Sequence, residues 1–225
     1  MGTTTRTRRT AAVAIMALIG GGLTVGSSSA TGVEAVPEPV YCKGEVATIV
    51  GTPDGDWLFG TPGRDVIHGL AGQDAILGDD GNDLICGGAG KDLIRAGRGD
   101  DVVYGQRGRD IIHGEGGNDK IYGGRGGTPS PDYMTFEMLT GGPGKDEISG
   151  YRGADIPMGA GRDDVLRGGP GEDWLFGDQF DDVTIRGNDT LRGGLGPDTL
   201  FGGPGHDVCR GGPGTDEATD CEVSR

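Results

Sequence analysis

From Gly51 the chain sets one aliphatic residue in every nine positions, with an acid two places before it. In that frame it divides into GTPDGDWLF, GTPGRDVIH, GLAGQDAIL, GDDGNDLIC, GGAGKDLIR, AGRGDDVVY, GQRGRDIIH and GEGGNDKIY. The sixth place is always aspartate: Asp56, Asp65, Asp74, Asp83, Asp92, Asp101, Asp110 and Asp119. The eighth is always aliphatic: Leu58, Ile67, Ile76, Ile85, Ile94, Val103, Ile112 and Ile121. Such a unit reads as a six-residue turn, whose glycines allow positive φ and close backbone approach, followed by a three-residue strand. Side chains alternate along a strand, so the eighth place points inward while the seventh and ninth point outward.

The frame resumes at Gly141 with Asp146, Asp155, Asp164, Asp173 and Asp182, and again with Asp189, Asp198, Asp207 and Asp216. Three of these acids stand in altered contexts, and their roles stay open. Asp155 has Pro157 at its eighth place, Asp216 has Ala218, and Asp182 lies beside a slip of only seven residues to Asp189. That slip predicts a local distortion near Val183 to Arg186. Between Gly123 and Thr140 the run PSPDYMTFEML looks like an insertion, with Thr128 where an acid is due. It keeps phase, because Gly123 to Gly141 is eighteen residues and Glu137 and Leu139 fall on the acid and apolar places. The expectation is a degraded turn or bulge built over one coil, where Pro129 and Pro131 prevent regular strand.

The pattern GGxGxDxUx, U being a large apolar residue, resembles the calcium-binding RTX (hemolysin-type) nonapeptide repeat, from residue 51 to about 219 with seventeen acids in place. The resemblance implies an all-β chain coiled as a right-handed parallel β-roll, a β-solenoid, with two nonapeptides per coil. Coils would stack at about 4.8 Å, bringing the acids of every second repeat together. Like charges 4 Å apart repel by roughly 4 kcal/mol at an effective dielectric of 20, and a cation between them reverses the sign. Calcium suits the place because it takes six to eight oxygen ligands in flexible geometry, whereas magnesium demands a stricter octahedron. By the same resemblance the ligands are turn carbonyls with Asp56, Asp65, Asp74, Asp83, Asp92, Asp101, Asp110, Asp119, Asp146, Asp164, Asp173, Asp189, Asp198 and Asp207. Each ion is shared between one repeat and the next but one. Zinc is disfavoured, since the recurring ligand is oxygen and the chain has 3 His.

Composition supports this reading. With 50 Gly and 5% aromatic residues in 225, an ordinary globular core is hard to assemble, and composition alone would suggest disorder. Arg6, Arg8 and Arg9 precede an apolar run from Ala11 to Val25 and then small residues, the anatomy of a secretory signal peptide. The expected division is a signal at 1–30, a linker at 31–41, an N-terminal cap at 42–50, repeat blocks at 51–122 and 141–219 flanking the bulge at 123–140, and a tail at 220–225. Removal of residues 1–30 would leave 35 acids against 17 bases, a net charge of −18. Nucleic acid and anionic membrane are poor partners for such a surface. No membrane span is expected after cleavage.

Four cysteines in an exported chain fit two disulfides, with three possible connectivities. Cys209 with Cys221 would close a C-terminal cap, leaving Cys42 with Cys86 by elimination. Residues 42–50 fit a zeroth repeat, Ile49 in the core place and Ala47 replacing the acid. Cys86 would then lie two coils further on, about 9.6 Å along the axis at one strand spacing per coil, so the N-terminal segment must fold back over the sheet face. No GxSxG or HExxH occurs, and His68, His113 and His206 stand too far apart in the frame for one site, so no enzymatic activity is expected. The outward places are rich in apolar residues, among them Trp57, Leu93, Ile111 and Trp174. That leaves a calcium-dependent adhesion or assembly module, with a cell-surface or extracellular polymer as partner, as the alternative to simple calcium binding.

Overall fold

The computed structural model describes residues 38–125, 136–178 and 186–223. The expected signal, most of the linker, the insertion from 126 to 135, and Asp182 with Val183 lie outside them. Everything described, Glu38 apart, belongs to one compact unit, Pro39–Arg225.

Among the described residues the regular elements are strands, and apart from a two-stranded N-terminal hairpin they fall into two parallel sheets. One takes alternate strands from Trp57–Phe59 to Glu217–Thr219 and has nine; the other runs from Ile49–Val50 to Glu222–Val223 and has ten. Successive strands therefore belong to opposite sheets, and a pair makes one coil of a parallel β-solenoid. The eighth places stack in register through both. Leu58, Ile76, Ile94, Ile112 and Leu139 pair in one sheet. Ile67, Ile85, Val103, Ile121 and Ile148 pair in the other. Ile67, Ile76, Ile85, Ile94, Ile112 and Ile121 are all fully buried. The expected inward ladder is the core, one side chain thick per sheet.

The coil length of eighteen residues changes twice. Ile112 pairs with Leu139 and Ile121 with Ile148, so the coil crossing the insertion spans twenty-seven residues. That coil is nine residues longer than its neighbours, and residues 126–135 of the expected degraded turn or bulge lie outside the described residues. The frame survives because nine residues were added, but the sheet to which each later repeat belongs is exchanged relative to a simple count. At the slip, Leu166 pairs with Leu191 and Leu175 with Leu200, a coil of twenty-five. The seven-residue step is thus an excess of seven within one turn, and the column passes from Asp164 to Asp189.

The N-terminal cap is half as expected. Ile49 joins the ten-stranded sheet opposite Ile67. Residues 41–46 do not complete a zeroth coil; Tyr41–Cys42 and Glu45–Val46 form an antiparallel hairpin. It lies over the outer face, where Cys42, Val66, Leu84 and Cys86 make a second small core. Val66 and Leu84, expected to face outward, are therefore buried. Both expected disulfides are present, Cys42–Cys86 and Cys209–Cys221, with Cα atoms 5.8 and 5.7 Å apart.

Glycine serves two purposes in the turns. Fourth-place Gly90 and Gly108 have φ of 157° and 151°, and a Cβ on either would overlap the carbonyl of the glycine one coil before. First-place glycines do not need positive φ; a Cβ on them would crowd the acid of their turn, although Ala96 fills one first place. Second places do take positive φ, even at Leu70, Gln106 and Tyr151.

Candidate metal-binding turns

Each turn ends on its acid, and the stack brings those acids into two columns, one along each edge of the solenoid. The first contains Asp56, Asp74, Asp92, Asp110, Glu137, Asp155, Asp173, Asp198 and Asp216. The second contains Asp65, Asp83, Asp101, Asp119, Asp146, Asp164, Asp189 and Asp207. The backbone N–H of one acid donates to Oδ1 of the acid one coil later, as from Asp83 to Asp101 at 2.8 Å and Asp101 to Asp119 at 2.9 Å. The second column is continuous in this way across both irregular coils, from Asp119 to Asp146 and from Asp164 to Asp189. All fourteen aspartates expected as ligands stand in the columns. Asp155 and Asp216, whose contexts departed from the frame, stand there too: Asp155 donates to Asp173 Oδ1, and Asp216 Oδ1 accepts from Asp198.

The other carboxylate oxygen is the informative one. In Asp74, Asp83, Asp92, Asp101, Asp110 and Asp119, and in Asp146, Asp164, Asp173, Asp189, Asp198 and Asp207, Oδ2 is buried and meets no donor. A buried, unpartnered carboxylate oxygen is costly unless something neutralises it. Asp101 apart, whose turn opens on Ala96, these oxygens point towards a first-place glycine, where at most turns a carbonyl of the next coil also points. A Cβ on Gly105 would stand 2.5 Å from Asp110 Oδ2 and 2.7 Å from Gly123 O. The same pair recurs at Gly69 with Asp74 Oδ2 and Gly87 O, and at Gly159 with Asp164 Oδ2 and Gly177 O. Among the described residues no three carboxylate, imidazole or thiolate side chains close on one point. What converges is a carboxylate oxygen with a backbone carbonyl, the mixed donor set that suits a hard cation.

Electrostatics agree with that geometry. Burial pushes Asp101, Asp110, Asp146 and Asp189 up to about 7, Asp173 to about 8 and Asp164 to about 9. Neighbouring acids of the column add to the rise, and the backbone N–H bond opposes it. At the start of the stack the chain meets the demand itself. Thr52 and Thr61 each donate backbone N–H and hydroxyl to Oδ2 of Asp56 and Asp65, at 2.6 to 2.9 Å.

Two features were not anticipated from the sequence. Beside the second column runs a fifth-place polar ladder: Asp100 donates its N–H to Asn82 Oδ1, Asn118 to Asp100, Lys145 to Asn118, Asn188 to Asp163 and His206 to Asn188. Its signal was the recurrence of Asn or Asp just before the acid in alternate repeats. The other feature is Asp178, outside the acid frame, whose Oδ2 accepts from Gly187 N–H at 2.9 Å while Oδ1 is buried without a partner. The three histidines share no site. His68 and His113 lie on opposite sheets, and His206 faces Glu222. His68 is less solvated than expected: it is partly buried, burial lowers its pKa, and Nδ1 accepts from Leu70 N–H.

A parallel β-solenoid with oxygen-lined turns along both edges defines a cation-binding repeat protein. The RTX calcium-binding nonapeptide repeat (4 copies) matches residues 50–85, 77–112, 96–127, 136–157, 158–183 and 185–218, and the chain belongs to that family. No curated protein matches it. RTX repeats bind Ca2+ through the β-roll, and the columns here are the residues that would hold it. When bound, calcium supplies two positive charges and room for six to eight oxygens. Of the described residues, no helix is long and apolar enough to cross a membrane.

Proposed function

We propose that the chain is a secreted calcium-binding protein whose folding is coupled to the ion, and that it binds rather than catalyses. The observation that carries this reading is the double column of carboxylates, in which twelve buried aspartates each keep one oxygen unsatisfied. Such columns belong only to the coiled state, so ion binding there becomes folding free energy. Two disulfides suit an oxidising compartment, where calcium is also abundant. Far-UV circular dichroism tests it: strand signal should grow as calcium is added near neutral pH and disappear on chelation. Full strand content in excess chelator would refute it.

A second reading, calcium-dependent adhesion or assembly at the cell surface, has one observation in its favour. Trp57, Leu93, Ile111, Met138 and Trp174, all seventh-place residues of the nine-stranded sheet, form an exposed apolar row on its outer face. Light scattering discriminates: oligomers that form only with calcium favour assembly, a calcium-loaded monomer favours the simple binding module.

A further inference from the structure

Beyond the first rung of each column, where Thr52 and Thr61 intervene, the columns follow a rule, one carboxylate oxygen for a backbone N–H and one left over, and among the described residues it fails at one rung. Glu137 and Asp155 occupy adjacent coils, opposite each other in register, and both are 0% exposed. Among the described residues no N–H or hydroxyl donates to any of the four oxygens, and the two carboxyls lie within hydrogen-bond reach of each other, whereas other rungs leave one oxygen per acid. The local cause is visible in the pairing. In the other parallel pairs the register begins at the seventh place or later, as at Ala75↔Leu93, but here pairing begins at Phe136↔Ala154, which draws both acid places into the paired strands. The longer glutamate still reaches the first-place cradle: a Cβ on Gly123 would overlap Glu137 Oε2 and stand 2.9 Å from Gly150 O, and one on Gly150 would overlap Asp155 Oδ2.

We propose that Glu137 and Asp155, with the Gly150 carbonyl, form a calcium site of their own, distinct from the other rungs and tighter than they are. The inference rests on the calcium-binding function proposed above. Two carboxylates with no donor carry two negative charges, which one divalent cation cancels; a monovalent ion or a single shared proton would leave one charge buried. Every other rung has part of its charge answered by backbone N–H groups. Affinity in all-oxygen calcium sites rises with the number of charged ligands, which places this rung first to fill and last to empty.

The test uses the full chain. Bound calcium is counted by mass spectrometry after gel filtration at a series of fixed free calcium concentrations, for wild type, Glu137→Gln, Asp92→Asn and Asp79→Asn. Glu137→Gln should lose one ion from the tightest class and raise the lowest half-saturating calcium at least about tenfold, since ligand charge sets affinity. Asp92→Asn, at an ordinary rung, should leave that tightest step in place. Asp79→Asn, at an exposed acid outside the columns, should match wild type. If Glu137→Gln does not fold, the release of calcium from wild type into a fast chelator decides instead: a slowest phase of one ion per chain is expected, and release in a single uniform phase overturns the proposal. A full tight count in Glu137→Gln also overturns it while leaving the calcium-binding function intact. A wild-type chain that takes up no calcium refutes that function itself.

Discussion

Protons and calcium compete for the same oxygens, so acid should fold the calcium-free chain. Asp110 is fully buried and its carboxyl is pushed from 3.8 to about 7, chiefly by desolvation. At about 1.4 kcal/mol per pKa unit, keeping Asp110 ionised costs the folded state about 4 kcal/mol at pH 7 and above. The direction follows from proton counts. Between about pH 4 and 7 the folded chain holds a proton that the unfolded chain has released, so stability falls as pH rises through that window and is greatest below it. Asp146, Asp155 and Asp189 lie at about 7 as well, and Asp164 and Glu137 at about 9. Several such penalties exceed the roughly 5–15 kcal/mol by which domains are stable, so the calcium-free coil cannot persist fully ionised. The assay is circular dichroism of calcium-stripped protein between about pH 5 and about pH 8, which crosses the value of about 7 held by Asp110, Asp146, Asp155 and Asp189. Strand signal should be present at the acid end, vanish as pH rises, and return at about pH 8 when calcium is added. A stripped chain equally structured at both ends, or one that loses strand on acidification, would refute the reasoning.

Four further outcomes follow from particular residues. Asp101→Asn removes a buried charge, so it should stabilise the calcium-free chain at neutral pH while lowering the number of ions bound; a loss of stability in both states would contradict the assigned role. Ile112→Ala empties a fully buried core place and should cost about 2–5 kcal/mol, read as a fall in melting temperature at saturating calcium. Gly108→Ala, at φ 151° against the Gly90 carbonyl, should raise the calcium needed for folding, and an unchanged titration would show that the turn tolerates the side chain. Replacing Cys42 and Cys86 with serine should cost about 2–4 kcal/mol, with hydrogen exchange speeding in Tyr41–Val46 and not in strands beyond Leu93; uniform loss of protection would show the hairpin to be integral to the roll.

The parts of this fold that obey the nine-residue frame were legible in the sequence. Ile76 and Asp74 recur at fixed spacing because the coil itself recurs, so core, columns and cap disulfides could be placed from composition and phase. What the frame could not show is how many residues belong to a coil. An insertion of nine, between Asp119 and Asp146, is invisible to a nine-residue register, and only the pairing of Ile121 with Ile148 reveals it. Asp178 was missed for a related reason: its partner, Gly187, lies beyond its own nonapeptide, whereas Asp79, also at a second place, stays exposed. Burial of Val66 and Leu84 depends on a hairpin from another part of the chain, and no local alternation predicts that. First-place glycines were legible as turn residues, but the crowding a Cβ would meet there becomes plain only when Asp110 Oδ2 and Gly123 O meet at Gly105.

The central claim is that cations lie between coils along both edges of the solenoid. Anomalous diffraction from crystals of the calcium-loaded chain tests it directly. The account predicts two rows of calcium peaks, one beside each acid column, spaced by about one strand separation of 4.8 Å and lying near Oδ2 and the first-place carbonyls. Peaks confined to the outer sheet faces, or columns with no peak beside Asp83, Asp101 and Asp119, would contradict it.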